Sequence, residues 1–172
     1  MKQVLRIAVI SALALAGGLL FRTLAAEPIY IASDSMAPTL TSGHHLILDK
    51  ITYRFRPPRR QELICFSSPV GEDHDSVKRV IAVAGDTIEI RNKKVYLNGE
   101  RQLEIYASHT RPDEILDGDN LGPLTVPEGA VFVLGDNRDN SNDSSTWRDK
   151  DTGEKFYFLK LKLLKGRIRG IY

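Results

Sequence analysis

Val77-Lys78-Arg79-Val80-Ile81-Ala82-Val83 is the stretch whose reading decides the fold. A short apolar run rich in β-branched residues reads as a strand, and this one carries two cations inside it. Runs of the same kind recur at short intervals around it: Ile29-Tyr30-Ile31, Leu46-Ile47-Leu48, Leu63 to Phe66, Thr87 to Ile90, Val95 to Leu97 and Val131 to Leu134. Asn98-Gly99 and Pro127-Glu128-Gly129 supply turn signals between them, and Glu89 to Leu97 has the pattern of a hairpin. Residues 102–122 are polar and irregular, the mark of a surface excursion from a sheet. Phe156 to Leu163 alternates apolar residues with lysine and is expected to form one more strand. No long stretch after residue 27 has helical periodicity, so a mostly β domain is expected over 27–172.

Lys78 makes that central strand chemically interesting. On a strand, Ser76, Val80 and Ala82 share its face, a small and largely apolar setting. A free lysine titrates near ~10.4, and bringing it half-neutral at pH 7 takes a depression worth roughly 4 kcal/mol. Burial among apolar residues depresses an amine by that much and turns it into a proton acceptor. Ser33-Asp34-Ser35-Met36-Ala37-Pro38-Thr39-Leu40 offers a hydroxyl just before a Pro-stiffened turn. Gly135-Asp136-Asn137-Arg138-Asp139-Asn140-Ser141-Asn142-Asp143-Ser144 is a polar loop able to orient the lysine. Each has a plain explanation alone: a lysine snorkelling from a strand end, a turn-capping serine, an Asx-rich turn. Their co-occurrence points to a nucleophilic serine served by a lysine base.

Length and composition narrow the alternatives. The 172 residues fill one ordinary domain with a small appendage. A net charge of +2 argues for no nucleic-acid partner. Basic residues cluster at Arg54, Arg56, Arg59 and Arg60 and again from Lys160 to Arg169, as solvated faces or as a membrane-surface contact. Cys65 is the only cysteine, which excludes an intrachain disulfide, and its apolar setting reads as a buried small hydrophobe. His44, His45, His74 and His109 show no metal-ligand spacing, no G-x-S-x-G elbow is present, and no cofactor or metal is expected.

Residues 1–26 form a separate unit. Ile7 to Phe21 is uncharged and nearly all apolar, and it reaches the about 20 residues of a bilayer span if Arg6 and Arg22 snorkel to the interfaces. Lys2 and Arg6 favour a cytoplasmic amino terminus, which puts 27–172 on the far side. A cleaved secretory signal has the same apolar length, but Arg22 falls where small residues before a cleavage site belong. A retained transmembrane anchor is the expectation.

These features together resemble the type I signal peptidases, the membrane-bound serine proteases that remove signal peptides from exported proteins. The likeness runs through Phe21-Arg22-Thr23 with Glu27-Pro28, Ser33 to Leu40, Lys78-Arg79-Val80-Ile81 with Gly85-Asp86, Val126-Pro127-Glu128-Gly129, and Gly135 to Ser144. It implies a coiled antiparallel β-sheet domain behind one transmembrane helix, held by a single pass in a plasma membrane with the catalytic domain extracytoplasmic. It also implies Ser35 as nucleophile and Lys78 as general base, with Ser33 and the Ser35 N–H as the oxyanion hole. Ser141 matches the hydroxyl that orients the lysine, and Asp143 and Arg79 match a supporting charged pair. The implied partners are the lipid bilayer and exported preproteins with small residues at −1 and −3. Ala32, His44, Ala82, Ala84 and Ser145 depart from the usual family residues, and Ser145 removes an arginine that commonly partners the aspartate at 143. Other readings are a Ser/Lys peptidase dedicated to one substrate such as a conjugation pilin, a repressor-type autoprotease, and a catalytically silent membrane-anchored binding domain.

Overall fold

The structure is a computed structural model that describes residues 2–171. It opens with helix α1 (Lys2–Ala25), which residue composition makes apolar all round. Residues 2–19 are exposed, and α1 is long and apolar enough to cross a membrane. The side chain of Arg22 lies outside the described residues. The chain passes directly into β1 (Ala26–Tyr30), and the Lys50 N–H donates to the carbonyl of Ala25, tying the helix end to the domain.

After β1 come β2 (His45–Asp49), a single turn of helix α2 (Thr52–Phe55), β3 (Leu63–Ser67) and β4 (Asp75–Val83). The second half holds β5 (Thr87–Arg91), β6 (Lys94–Leu97), β7 (Glu100–Arg101), β8 (Leu121–Thr125), β9 (Ala130–Leu134), β10 (Leu159–Lys160) and β11 (Leu164–Ile171). Seven strands form one antiparallel sheet in the order β1-β2-β11-β3-β4-β9-β10, and four form a second, β7-β6-β5-β8. The β5–β6 hairpin turns at Asn92 and Lys93, both at positive φ, as its two-residue connection requires.

Two expectations are corrected. Only Leu159–Lys160 of the run from Phe156 to Leu163 is strand, and Leu161–Leu163 turns as a short 3-10 segment. The long C-terminal strand is instead β11, inserted between β2 and β3. Its lysines and arginines hid it, and they are partnered: Lys165 with Asp75, Arg167 with Glu62, Arg169 with Asp49. The excursion expected over 102–122 gives up its last two residues to β8, and part of it is buried against the 135–140 loop.

Apolar faces close the fold. Ile81, Ile88, Val95, Phe132 and Leu134 join the two sheets. Met36, Leu40, Leu46, Leu48 and Ile168 pack beneath the β1–β2–β11 end. Ile64, Phe66, Val80 and Val133 pack under Trp147, whose ring meets Phe66 edge-on and stacks on Phe156. Burial of such side chains stabilises by roughly 1.5–3 kcal/mol each.

Candidate active site

β4 pairs with β3 over Asp75–Arg79, but its pairing with β9 begins only at Arg79. The edge of β4 from Asp75 to Lys78 therefore faces a cleft of about 560 Å³, whose opposite wall is the free edge of β1 running on to Ser33 and Ser35. Ser35 sits in a tight turn: the Ala37 N–H donates to the Asp34 carbonyl, the Ser42 N–H to the Asp34 carboxylate, and the Ala37-Pro38 peptide is cis.

Lys78 is 4% exposed, and its Nζ lies 2.7 Å from Ser35 Oγ. Burial pushes the Lys78 amine below its ordinary value, against the weaker opposing pull of the Asp143, Glu72 and Asp136 charges. A lysine so treated is a proton acceptor resting on a hydroxyl. Ser33 Oγ lies 3.3 Å from Ser35 Oγ, and both residues line the cleft.

The loop after β9 holds Ser35 from behind. The Asn137 N–H donates to the Ser35 carbonyl at 3.1 Å, and Asn137 Nδ2 donates to the Asp34 carbonyl at 3.1 Å. Gly135 makes the approach possible, because a Cβ there would lie 2.5 Å from the Ser35 carbonyl oxygen and nearer still to the Ser141 hydroxyl. Ser141 Oγ is buried against that glycine without a hydrogen-bond partner, so no bond to Lys78 is formed in this structure.

The charged pair expected between Asp143 and Arg79 is not formed. Arg79 makes a two-pronged bond to Asp136, Nε at 2.8 Å and Nη2 at 2.6 Å. Asp143 accepts instead from the Gly135 N–H at 2.9 Å and from the N–H and hydroxyl of Ser145. The loop turns between 136 and 143, so only the nearer carboxylate faces Arg79. Ser145, where the family likeness implied an arginine, bonds the Asp143 carboxylate through both its N–H and its hydroxyl.

Sequence reasoning gave no individual role to Asp136 or Asn137 and saw nothing at Glu104 or Tyr106. The two loop residues lay within a quoted motif, but their partners are distant in the chain. Glu104 and Tyr106 carried no local signal, because a polar residue in an irregular stretch reads as solvated. Cys65 is buried beside the cleft, and burial pushes its thiol up to about 12. Among the described residues, no group of three His, Cys, Asp or Glu is placed to hold a metal ion.

Known proteins share this architecture. A family model described as "Signal peptidase, peptidase S26" matches residues 1–172. The chain is 44% identical over 141 residues to the probable signal peptidase I-1 of Synechocystis sp., covering 78% of this chain and 69% of the relative. It is 40% identical over 133 residues to the signal peptidase I of Leptolyngbya laminosa, covering 73% of this chain and 63% of the relative. It thus spans about two thirds of the length of these curated relatives. A crystal structure of a signal peptidase I from Enterococcus faecalis superposes with a TM-score of 0.50 at 32% identity, over 66% of this chain and 98% of that one. With a coiled β fold, a family match along its length and relatives of this identity, the chain belongs to the signal peptidase family, peptidase S26.

Proposed function

We propose that this chain is a membrane-anchored endopeptidase that removes N-terminal signal peptides from exported preproteins, with Ser35 as nucleophile and Lys78 as its base. The observation that carries the reading is the 2.7 Å approach of a buried, pKa-depressed amine to the Ser35 hydroxyl at the wall of an open cleft. The neutral amine of Lys78 takes the Oγ proton as Ser35 attacks the scissile carbonyl carbon. The ammonium then returns that proton to the departing amine, leaving an ester on Ser35. A water gives its proton to Lys78 and attacks the ester, the acid leaves, and Lys78 returns the proton to Ser35 Oγ. The Ser35 N–H and the Ser33 hydroxyl receive the developing oxyanion, and donors of this kind are worth about 3 kcal/mol each. Ser141, with its hydroxyl unpartnered, is left to orient the lysine as it changes charge.

Two free strand edges facing one cleft suit an extended peptide bonded through its backbone. Ile29, Ile31, Met36 and Val77 make the lining apolar, which fits the small residues at −1 and −3 implied by the family likeness. Helix α1 serves as a single-pass anchor, with Lys2 and Arg6 on the cytoplasmic side and the β domain extracytoplasmic. The test uses wild type, Ser35→Ala and Lys78→Ala with a preprotein in detergent. Wild type is expected to shorten the preprotein and both variants to be at least about 10³-fold slower. Cleavage by Lys78→Ala at the wild-type rate rejects the mechanism.

A further inference from the structure

Leu103-Glu104-Ile105-Tyr106 is inverted relative to an ordinary domain surface. Leu103 and Ile105 are 88% and 90% exposed, while Glu104 and Tyr106 turn inward. A segment that leaves its apolar side chains in solvent to bury a carboxylate is not there to build core. What the inward residues touch is the back of the site. Glu104 grips Arg138 with two bonds, 2.7 and 2.8 Å, both side chains less than a tenth exposed. The Tyr106 hydroxyl donates to Glu104 at 2.9 Å, and its ring lies under the Arg79 guanidinium, 4.0 Å from the centroid. Two backbone bonds seal the contact: the Ser108 N–H to the Asp136 carbonyl and the Arg138 N–H to the Ser108 carbonyl.

We propose that residues 104–108 are a strut that sets the distance between Lys78 and Ser35, with Tyr106 and Glu104 as positioning residues for the reaction. One end of the strut reaches Arg79, the neighbour of Lys78 on β4. The other reaches the Asp136–Arg138 loop, whose Asn137 N–H holds the Ser35 carbonyl. Asp136, bonded to Arg79, closes the triangle. A buried ion pair adds little net stability over an apolar pair of the same size, so the Glu104–Arg138 bridge is better explained by the register it imposes. Burial and the Glu104 charge push the Tyr106 phenol up to about 12, so at neutral pH it remains a donor.

The inference rests on the Ser35–Lys78 reading, and the experiment separates the two. Full-length wild type, Tyr106→Phe, Tyr106→Leu, Glu104→Gln and Ser35→Ala are assayed in detergent on a preprotein across pH, with thermal unfolding measured alongside. Tyr106→Phe keeps the ring over Arg79 and is expected within about threefold of wild type. Tyr106→Leu is expected to lose about tenfold or more in kcat with KM nearly unchanged, since a misplaced reacting pair costs rate before binding. Its acid limb of kcat/KM should move to higher pH, because water reaching Lys78 weakens the push of burial. Glu104→Gln is expected to lie between, with its limb moved the same way. Equal losses for Phe and Leu, or an unmoved limb in both Tyr106→Leu and Glu104→Gln, overturn the proposal. Should Tyr106→Leu fail to fold, the limb of Glu104→Gln decides alone. A fully active Ser35→Ala would instead overturn the underlying mechanism and leave the strut without an object.

Discussion

The two faces of β4 treat adjacent cations in opposite ways. Lys78 and Arg79 are neighbours in sequence, and both are nearly buried. Lys78 ends on a hydroxyl, and burial drives its amine toward the neutral form. Arg79 ends on a carboxylate held by two bonds and stacks on an aromatic ring. Strand alternation sends one side chain to the cleft and the other to the scaffold. Residue type then suits each face: an ammonium loses its proton when desolvated, whereas a guanidinium keeps its charge and forms a planar two-pronged bond. One strand thus carries the buried amine of the proposed site and, one residue on, the guanidinium that ties the strand to the loop behind it.

The anchoring face is where the largest effect on stability is expected. Asp136→Asn leaves a buried guanidinium without its counter-charge, and breaking such a pair costs about 3–5 kcal/mol, a fall in Tm on the order of 10 °C. Thermal unfolding of the full-length protein in detergent measures it. An unchanged Tm would erase the contrast between the two faces.

The cleft face, under the proposed mechanism, predicts the opposite sign. Lys78→Met should abolish cleavage and raise stability, because an amine that must give up its proton on burial opposes folding. The folded pKa of Lys78 lies below the unfolded value of 10.5, so at intermediate pH the unfolded chain holds a proton that the folded chain lacks. Wild-type stability therefore rises with pH through that window, by at most about 1.4 kcal/mol per pH unit, and levels off outside it. The advantage of Lys78→Met is expected to be greatest below the folded pKa and to vanish above pH 10.5. Denaturant titrations at several pH values follow it, and a pH-independent difference would mean that Lys78 stays charged in its pocket.

The smallest effect sharpens the same face. Glu72 is partly exposed and pulls the Lys78 amine upward, against burial. Glu72→Gln should move the acid limb of kcat/KM to lower pH, changing activity by less than about tenfold at any pH. A shift to higher pH would contradict the assigned sign.

Much of this was legible along the chain. The apolar runs at 63–66, 77–83 and 131–134 fell inside β3, β4 and β9, and the hairpin at 89–97 is β5 and β6, because pleated strands need only local patterning. β11 was not legible: a central strand carrying Lys165, Arg167 and Arg169 looks like a solvated run until its carboxylate partners on other strands are known. The same reason hid the strut, whose polar residues face inward only because the 135–140 loop is there to receive them.

Residue order by itself determined an apolar leading helix, a β-rich domain, and a serine, a lysine and a polar loop fit for one chemistry. Only the tertiary structure decided that Arg79 meets Asp136 rather than Asp143, that Gly135 admits the Ser35 carbonyl, and that Glu104 and Tyr106 stand behind the site. The physical reason is range. Strand pattern and turn chemistry act over a few neighbouring residues, whereas an ion pair or a steric gap depends on which distant segments the packed sheets bring within 3 or 4 Å.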